Sequence, residues 1–188
     1  IDLTGTILKT FDPMDVAIEH VQVDSFRLMN GFAFEIDCNY PEADLTNEVV
    51  FTDLTMTTSS ARTIYEWPYA IYYRGPGNLT CTDCNFEDFY SSYDSRKASV
   101  SVSTRNDCQP DDGATQTLAF TNSRFSLFRN EMPIPLFNGI SMNLDNNLHR
   151  KIVVRLTNYS LTNFGGSAGP ALFAIGTAND EVYISNAS

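Results

Sequence analysis

A short phrase recurs along this chain and constrains its fold more than any other feature. The phrase reads apolar, any, apolar, Ser/Thr, Asn/Asp, any, any, apolar. Five copies are clear, at residues 49–56, 79–86, 118–125, 154–161 and 182–188, and a weaker one spans residues 21–28. Repetition every few tens of residues is typical of proteins whose repeats stack on one another.

The Asn/Asp position of the phrase marks the register of each copy. In chain order it is occupied by Ser25, Asp53, Asp83, Asn122, Asn158 and Asn186. The phrase itself is constant, whereas the spacing between copies varies. Such a pattern predicts a constant core unit with loops of different length between the units.

Apolar residues alternate with polar ones before each register position, as in Leu118 and Phe120, and this alternation predicts a strand with one buried face. A second alternating run follows each phrase, at residues 32–36, 69–73, 98–102, 136–142 and 171–175. An antiparallel sandwich also fits short alternating strands. We favour stacked parallel strands, because only stacking explains why the phrase returns in the same order.

The phrase resembles the coils of right-handed parallel β-helix proteins of the pectin-lyase-like class, especially the long non-catalytic versions on cell surfaces. The resemblance covers residues 21–188 and is carried by the apolar-x-apolar-Ser/Thr-Asn/Asp-x-x-aromatic pattern. It implies an all-β fold, a right-handed parallel β-helix solenoid of about five to six coils with variable loops. It implies little about activity, since this fold carries lyases, hydrolases, adhesins and inert rods alike.

We expect a single β-helix segment over residues 1–188, with no composition shift that would divide it. Within it, residues 1–20 form an irregular N-terminal part, and coils occupy residues 21–188 with the last coil truncated. We also expect the segment to be an excerpt of a longer solenoid.

The chain carries a net charge of −11 and has a pI near 4.4. This acidity argues against nucleic acid and against an anionic membrane surface as partners. No apolar run approaches the roughly 20 residues that cross a bilayer, so direct membrane insertion is not expected. The expected partners are the protein itself or adjacent coils, end to end, and surface glycans that stack on exposed Tyr and Trp side chains.

Four cysteines, Cys38, Cys81, Cys84 and Cys108, predict disulfides in an oxidising compartment. Three pairings are possible, and we favour Cys84 with Cys108 and Cys38 with Cys81. A redox or zinc role for the Cys81-x-x-Cys84 motif is disfavoured, because no second such motif accompanies it.

Three Asn-x-Ser/Thr sequons, at Asn78, Asn158 and Asn186, predict N-glycosylation, which agrees with an extracellular or cell-surface location. Asn78 follows a Gly-Pro-Gly turn and is the best candidate. Asn158 and Asn186 occupy the register position, which in related β-helices often points inward and hydrogen-bonds to adjacent coils. Either those two sequons are unused, or the register position faces water.

No catalytic constellation is recognisable in the sequence. The histidines, His20 and His149, stand in no known catalytic motif, and the Asp111-Asp112-Gly113 segment is typical of a turn. No cofactor is expected. Asp53 and Asp83 are expected to lie one above the other, where their carboxylates would repel unless a cation such as Ca²⁺ or a shared proton lay between them. The alternative is that both are hydrogen-bonded turn residues equivalent to Asn122 and Asn158.

The sequence therefore favours a structural or adhesive module of an extracellular glycoprotein. It would be a stiff β-helical rod, or a filament building block, that presents loops and N-glycans, and it would not be an enzyme. The alternative is a polysaccharide lyase or hydrolase, or a carbohydrate-binding module, on the same scaffold.

Overall fold

The computed structural model describes residues 2–3, 8–10, 15–28, 31–37, 48–58, 68–73, 77–89, 98–103, 115–127, 138–143, 151–162 and 181–188. These residues are almost entirely β-strand and contain no helix. The fifteen described strands are β1 (Asp2–Leu3), β2 (Leu8–Thr10), β3 (Val16–Leu28), β4 (Gly31–Ile36), β5 (Glu48–Thr58), β6 (Pro68–Tyr73), β7 (Asn78–Thr82), β8 (Asn85–Phe89), β9 (Ala98–Ser103), β10 (Thr115–Thr121), β11 (Arg124–Leu127), β12 (Asn138–Asn143), β13 (Lys151–Thr157), β14 (Ser160–Thr162) and β15 (Glu181–Ser185).

The described strands form two sheets. The first contains ten strands and follows the order β14-β11-β8-β5-β7-β10-β13-β15, with β3 joined to β5 and β1 joined to β3. The second contains five, in the order β12-β9-β6-β4-β2. Every described strand pair is parallel. This parallel pairing excludes the antiparallel sandwich for the described strands.

Each of the five clear copies of the phrase forms one rung of the first sheet, and β3 forms a further rung in front of them. We define a rung as a strand, a corner residue and the strand or segment after it. The rungs are β3, β5, β7 with β8, β10 with β11, β13 with β14, and β15 with residues 186–188. Successive rungs pair in one register, as Thr82 opposite Thr121 and Thr121 opposite Thr157 show. For the five clear copies, the prediction that the phrases stack one above another is confirmed.

The corner residues have left-handed backbone conformations, with φ between 50° and 55°. They are His20, Asp53, Asp83, Asn122, Asn158 and Asn186. Asn and Asp are favoured among non-glycine residues at positive φ, and His is also enriched there. The corner turns the chain while the backbone bonds between rungs continue, since Asp83 N donates to Thr121 O at 3.0 Å and Arg124 N donates to Cys84 O at 2.8 Å.

The placement of Ser25 as the first register position is wrong. Glu19 pairs with Thr52 and Val21 pairs with Leu54, so the residue opposite Asp53 is His20. The first rung therefore begins at Val16, inside the stretch that the sequence assigned to an irregular part. Its strand reads Val-Ala-Ile-Glu before the corner, and Val16 and Ile18 pack against the core.

Two further strands of the N-terminal stretch join the same sheets. Asp2 and Leu3 of β1 pair with residues 27 and 28 of β3, and β2 pairs with β4. Residues 1–20 thus contain strands that continue the parallel stacking. The second-sheet strands β4, β6, β9 and β12 correspond to the second alternating runs of the sequence, whereas the run at 171–175 lies outside the described residues.

The core lies inside the rungs and consists of inward-facing columns. One column contains Val49, Leu79, Leu118 and Val154, which are between 0% and 4% exposed, with Val16 and Val182 less buried at either end. A second contains Phe51, Cys81, Phe120 and Leu156, all fully buried. Burial contributes on the order of 25 cal/mol per Å² of apolar surface, so each added rung extends and stabilises the same core.

Aromatic rings fill the core just past the corners. The rings of Phe86 and Phe125 are stacked, with centroids 4.9 Å apart, and Tyr159 lies 5.1 Å from Phe125. Stacked and edge-on ring pairs add about 1 kcal/mol beyond the area they bury. Phe86, Phe120 and Phe125 are all at most 1% exposed.

Candidate functional site

A row of hydrogen-bonded side chains runs along the outside of the corners, and we call it the corner ladder. Asn186 Nδ2 donates to Asn158 Oδ1 at 3.0 Å, and Asn158 Nδ2 donates to Asn122 Oδ1 at 2.8 Å. Asn122 Nδ2 then donates to Asp83 Oδ1 at 2.9 Å. All four residues are exposed. The ladder ties four successive rungs together on the solvent side.

The direction of the ladder reverses at the two carboxylates. His20 Nδ1 lies 3.0 Å from Asp53 Oδ2 and must be the donor, because an ionised carboxylate only accepts hydrogen bonds. The donors on the first-rung side therefore point to Asp53, and the donors from the last rung onwards point towards Asp83. Asp53 raises the pKa of His20, first by the hydrogen bond and then by its charge.

Asp53 and Asp83 are neighbours in the ladder, as the sequence predicted, because Thr52 pairs with Thr82. One of them is engaged by His20 and the other by Asn122. Within the described part of the chain, no group of three or more His, Cys, Asp or Glu side chains is placed to hold a metal ion. The cation hypothesis thus gains no further ligand from the described residues.

The ladder settles how the register position can face water and still bond between rungs. The side chains of Asn158 and Asn186 are exposed, and both are ladder members. An amide nitrogen carries two hydrogens, and the ladder uses one from each of these residues. The sequence posed a buried ladder and an exposed sequon as alternatives, whereas the structure combines a ladder with exposure.

Asn78 lies at the start of β7 and its side chain is half-buried. Its Oδ1 accepts a hydrogen bond from the backbone N of Thr117 at 2.8 Å. The side-chain oxygen of Asn78 therefore binds the neighbouring rung. Among the described contacts its side-chain nitrogen, to which an N-glycan attaches, has no hydrogen bond. Glycosylation of the three sequons remains a prediction.

Cys81 and Cys84 are both free thiols and both buried, rather than joined in the predicted pairs. Cys81 points inward because it stands in register with Phe120 of the next rung. Cys84 also points inward, because the left-handed corner at Asp83 interrupts the strand alternation, and its Sγ lies 3.7 Å from Phe51 O. Burial, with a hydrogen bond to Cys84, raises the pKa of Cys81. Cys38 and Cys108 lie outside the described residues.

The position after each corner is an inward column that includes Leu54, Cys84, Ser123 and Tyr159, all at most 1% exposed. Ser123 Oγ donates to Thr121 O at 3.2 Å. The Tyr159 hydroxyl is buried without a hydrogen-bond partner in the described structure, and burial raises its pKa far above the usual range. Strand alternation in the sequence does not predict this column, because the left-handed corner residue before it interrupts the alternation.

The last rung carries a small charged and aromatic cluster on its outer face. Lys151 Nζ lies 2.6 Å from Glu181 Oε1, and the Tyr183 hydroxyl donates to Glu181 Oε2 at 2.8 Å. These two bonds, that of Lys151 first, lower the pKa of Glu181. The Arg155 guanidinium lies 4.7 Å from the centre of the Tyr183 ring. The cluster joins β13 to β15 and neutralises the glutamate.

Several residues considered from the sequence lie outside the described part: His149, Asp111, Asp112 and Trp67. His20 contacts Asp53 at an exposed corner, with side chains 76% and 59% exposed. An exposed His-Asp pair of this kind forms a ladder contact rather than a sheltered catalytic dyad. The described residues include no helix long and apolar enough to cross a membrane.

Comparisons with protein-family models, with curated proteins and with solved structures found no match to this chain.

Proposed function

We propose that the chain is a right-handed parallel β-helix of about five to six coils. It would act as a structural or adhesive module of an extracellular or cell-surface glycoprotein, a stiff rod segment that presents loops and N-glycans without catalysing a reaction. The observation that carries the proposal is the corner ladder, in which exposed side chains of successive rungs are bonded in one line.

Stiffness follows from the way the rungs repeat the same contacts. Each internal rung is held by parallel backbone bonds, by a shared apolar column and by a ladder bond outside. Each bond contributes only about 1 kcal/mol, but bending the stack requires many of them to break together. Repeat proteins of this kind are stabilised by each unit and its nearest neighbours, which suits a spacer.

The proposed glycoprotein character rests on the three sequons and on the exposure of two of them. Asn158 and Asn186 are exposed, and Asn78 binds its neighbour through oxygen only. Attachment at Asn78 would leave the bond to Thr117 intact. An extracellular setting also agrees with the acidity of the chain, which disfavours nucleic acid.

Spin labels at Ala17 and Tyr183 would test the rod. Both positions belong to one outward column, five rung steps apart through Val50, Thr80, Ala119 and Arg155. At about 4.8 Å per step, pulsed electron spin resonance should give a narrow distance distribution near 24 Å, apart from the reach of the labels. The labels should be attached through non-canonical residues, because the chain has its own cysteines.

Labels at Ala17 and Thr80, two steps apart, are the matched control and should give about 10 Å, read from line broadening. A broad distribution for the long pair with a short distance for the control would mean that the stack is flexible and would overturn the rod.

A second experiment tests the glycans. The chain is secreted from a eukaryotic cell with the Asn of each sequon changed in turn to Gln, and its mass is measured. No mass change with any variant would remove the glycoprotein part of the proposal.

A further inference from the structure

Cys81 and Cys84 stand on either side of the Asp83 corner, and both side chains point into the core of one rung. Cys81 is 0% exposed and Cys84 is 1% exposed, and both are free thiols. Strand alternation alone would place residues three apart on opposite faces. The left-handed conformation of Asp83 interrupts the alternation and turns both thiols into the same interior. The rung therefore encloses two nucleophilic side chains for which the proposed rod has no use.

The Cys84 thiol is folded back across the corner towards the strand that carries Cys81. Its Sγ lies 3.7 Å from the carbonyl oxygen of Thr82, the residue directly after Cys81. It also lies 3.7 Å from the carbonyl oxygen of Phe51, which pairs with Cys81 in the neighbouring rung. The Cys84 sulfur is therefore held against the backbone around Cys81, and the two thiols are hydrogen-bonded to each other.

The surroundings of the two thiols fit a disulfide better than a zinc site. A structural zinc ion takes about four protein ligands. Among the described residues, no group of three or more His, Cys, Asp or Glu side chains is placed to hold a metal ion. The lack of a second Cys-x-x-Cys motif, which disfavoured a zinc role in the sequence, has no bearing on a disulfide, since two thiols are enough to form one.

We propose that Cys81 and Cys84 form a disulfide with each other across the corner, rather than with Cys38 and Cys108 as the sequence favoured. Rotation of the two side chains about their Cα–Cβ bonds brings the sulfur atoms to the bonding distance of about 2.0 Å. The disulfide closes a loop of Thr82 and Asp83 and fixes the left-handed corner from inside. The pairing does not depend on the function proposed above.

The oxidant is a low-molecular-weight disulfide such as oxidised glutathione. The thiolate of one cysteine attacks a sulfur atom of that disulfide, forms a mixed disulfide and releases one glutathione. The thiolate of the other cysteine then attacks the protein sulfur of the mixed disulfide and releases the second glutathione. The two protein thiols are oxidised, one glutathione disulfide is reduced to two thiols, and these take up the two protons that the cysteines lose.

Burial decides when this reaction takes place. Burial, with the hydrogen bond to Cys84, raises the pKa of the Cys81 thiol, and the thiolate is the attacking species. The folded rung therefore protects the reduced pair, and oxidation requires a local opening of the rung. In an oxidising compartment the disulfide forms before the rung closes, whereas in a reducing one the thiols stay enclosed.

Peptide mapping distinguishes this pairing from the others. The reduced chain, made in bacteria, is treated with oxidised glutathione in urea below the unfolding midpoint, alkylated, and cleaved by trypsin without reduction. Trypsin releases Cys81 and Cys84 together in residues 75–96, Cys38 in residues 28–62 and Cys108 in residues 106–124. The peptide 75–96 should be unlinked, unalkylated and about 2 Da lighter than its dithiol form.

Oxidation of the same chain without urea should be at least about tenfold slower, because the rung must open before the oxidant reaches the thiols. The oxidised chain should also unfold at a higher urea concentration than the reduced chain, since the disulfide constrains the corner in the unfolded state.

Cys84→Ser is the matched control. Ser123 already occupies the same inward column in the next rung and is 1% exposed, so a serine suits this position. Oxidation should not raise the urea midpoint of this variant, because Cys81 has lost its partner. Circular dichroism shows whether the variant folds, and the peptide map of the unchanged chain stands without it.

Three results would overturn the proposed disulfide. The first is a major product in which residues 75–96 are linked to residues 28–62 or 106–124. The second is a peptide 75–96 whose two thiols are both alkylated after the oxidation. The third is an oxidised chain that unfolds at a lower urea concentration than the reduced one, which would mean that the bond does not fit the rung. The spin-label distances remain a separate test, so a failed disulfide leaves the rod standing.

Discussion

The corner position accepts residues for their backbone preference as much as for their side chains. Asn, Asp and His all occupy it, and all six corner residues share φ values within a few degrees of one another. His20 is the one aromatic member, and it replaces an amide donor with an imidazole donor. Because His20 stands where the other rungs have Asn or Asp, a search for those two residues does not find the first rung. The apolar residues Val16 and Ile18, which precede His20, do follow the pattern.

The His20–Asp53 pair gives a pH-dependent contribution to stability. Because the pKa of His20 is raised in the folded state, the contribution is fully present below the unfolded pKa near 6.5 and is lost as pH rises through the higher folded value. The free energy of unfolding, measured by urea from about pH 5 to 8, should therefore fall across this window. The size is small, because both side chains are exposed.

His20→Asn is the control for this prediction. Asn suits the left-handed corner and can donate to Asp53 without titrating near neutrality. Its stability should lack the part of the slope that belongs to His20. Equal slopes for the two proteins would show that the pair does not couple protonation to folding.

At the scale of elements, the corner ladder and the left-handed corners are separable contributions. Asn122 supplies both, since it donates to Asp83, accepts from Asn158 and has a φ of 51°. Asn122→Gly should lose the two ladder bonds but keep the turn. Asn122→Ala should lose the two ladder bonds and also strain the left-handed turn. It should therefore be less stable than the Gly variant by about 1 kcal/mol, the cost of a left-handed backbone for a residue with a Cβ.

Equilibrium urea unfolding of the two variants and the unchanged chain gives the comparison. Thr121→Ser, in the neighbouring outward position, checks that a mild change next to the corner has little effect. Should Gly and Ala prove equally destabilising, the backbone would carry no part of the preference for Asn, and the ladder bonds alone would explain it.

The elements also show what the sequence could and could not predict. The parallel stacking and the register of Asp83, Asn122 and Asn158 followed from the phrase, because a repeated order of residues requires a repeated geometry. The inward position of Cys84 did not follow, because strand alternation continues only while the backbone stays extended, and the left-handed residue before it shifts the pattern by one. The exposure of the ladder side chains likewise did not follow from the sequence, because it depends on the left-handed backbone conformation of the corner residues.

At the scale of the whole molecule, stability should rise from the ends to the middle. Each inner rung has a neighbour on both sides, whereas β15 and residues 16–20 pair on one side only within the described structure. Nearest-neighbour stabilisation therefore protects the centre most.

Hydrogen exchange followed by mass spectrometry should show slow exchange in β7, β10 and β13 and faster exchange in β15 and residues 16–20. Uniform protection from one end to the other at low concentration would contradict the rung-by-rung account.

The chemistry of the corner has a consequence for counting sugar-attachment signals. Because the turn demands Asn or a close substitute at each rung, a hydroxyl residue two places later is enough to write a sequon. This has happened at Asn158-Tyr159-Ser160 and Asn186-Ala187-Ser188, and Asn122-Ser123-Arg124 is one substitution away. Chains built this way accumulate acceptor triplets as a by-product of their geometry, so the abundance of such triplets overstates how many carry glycans.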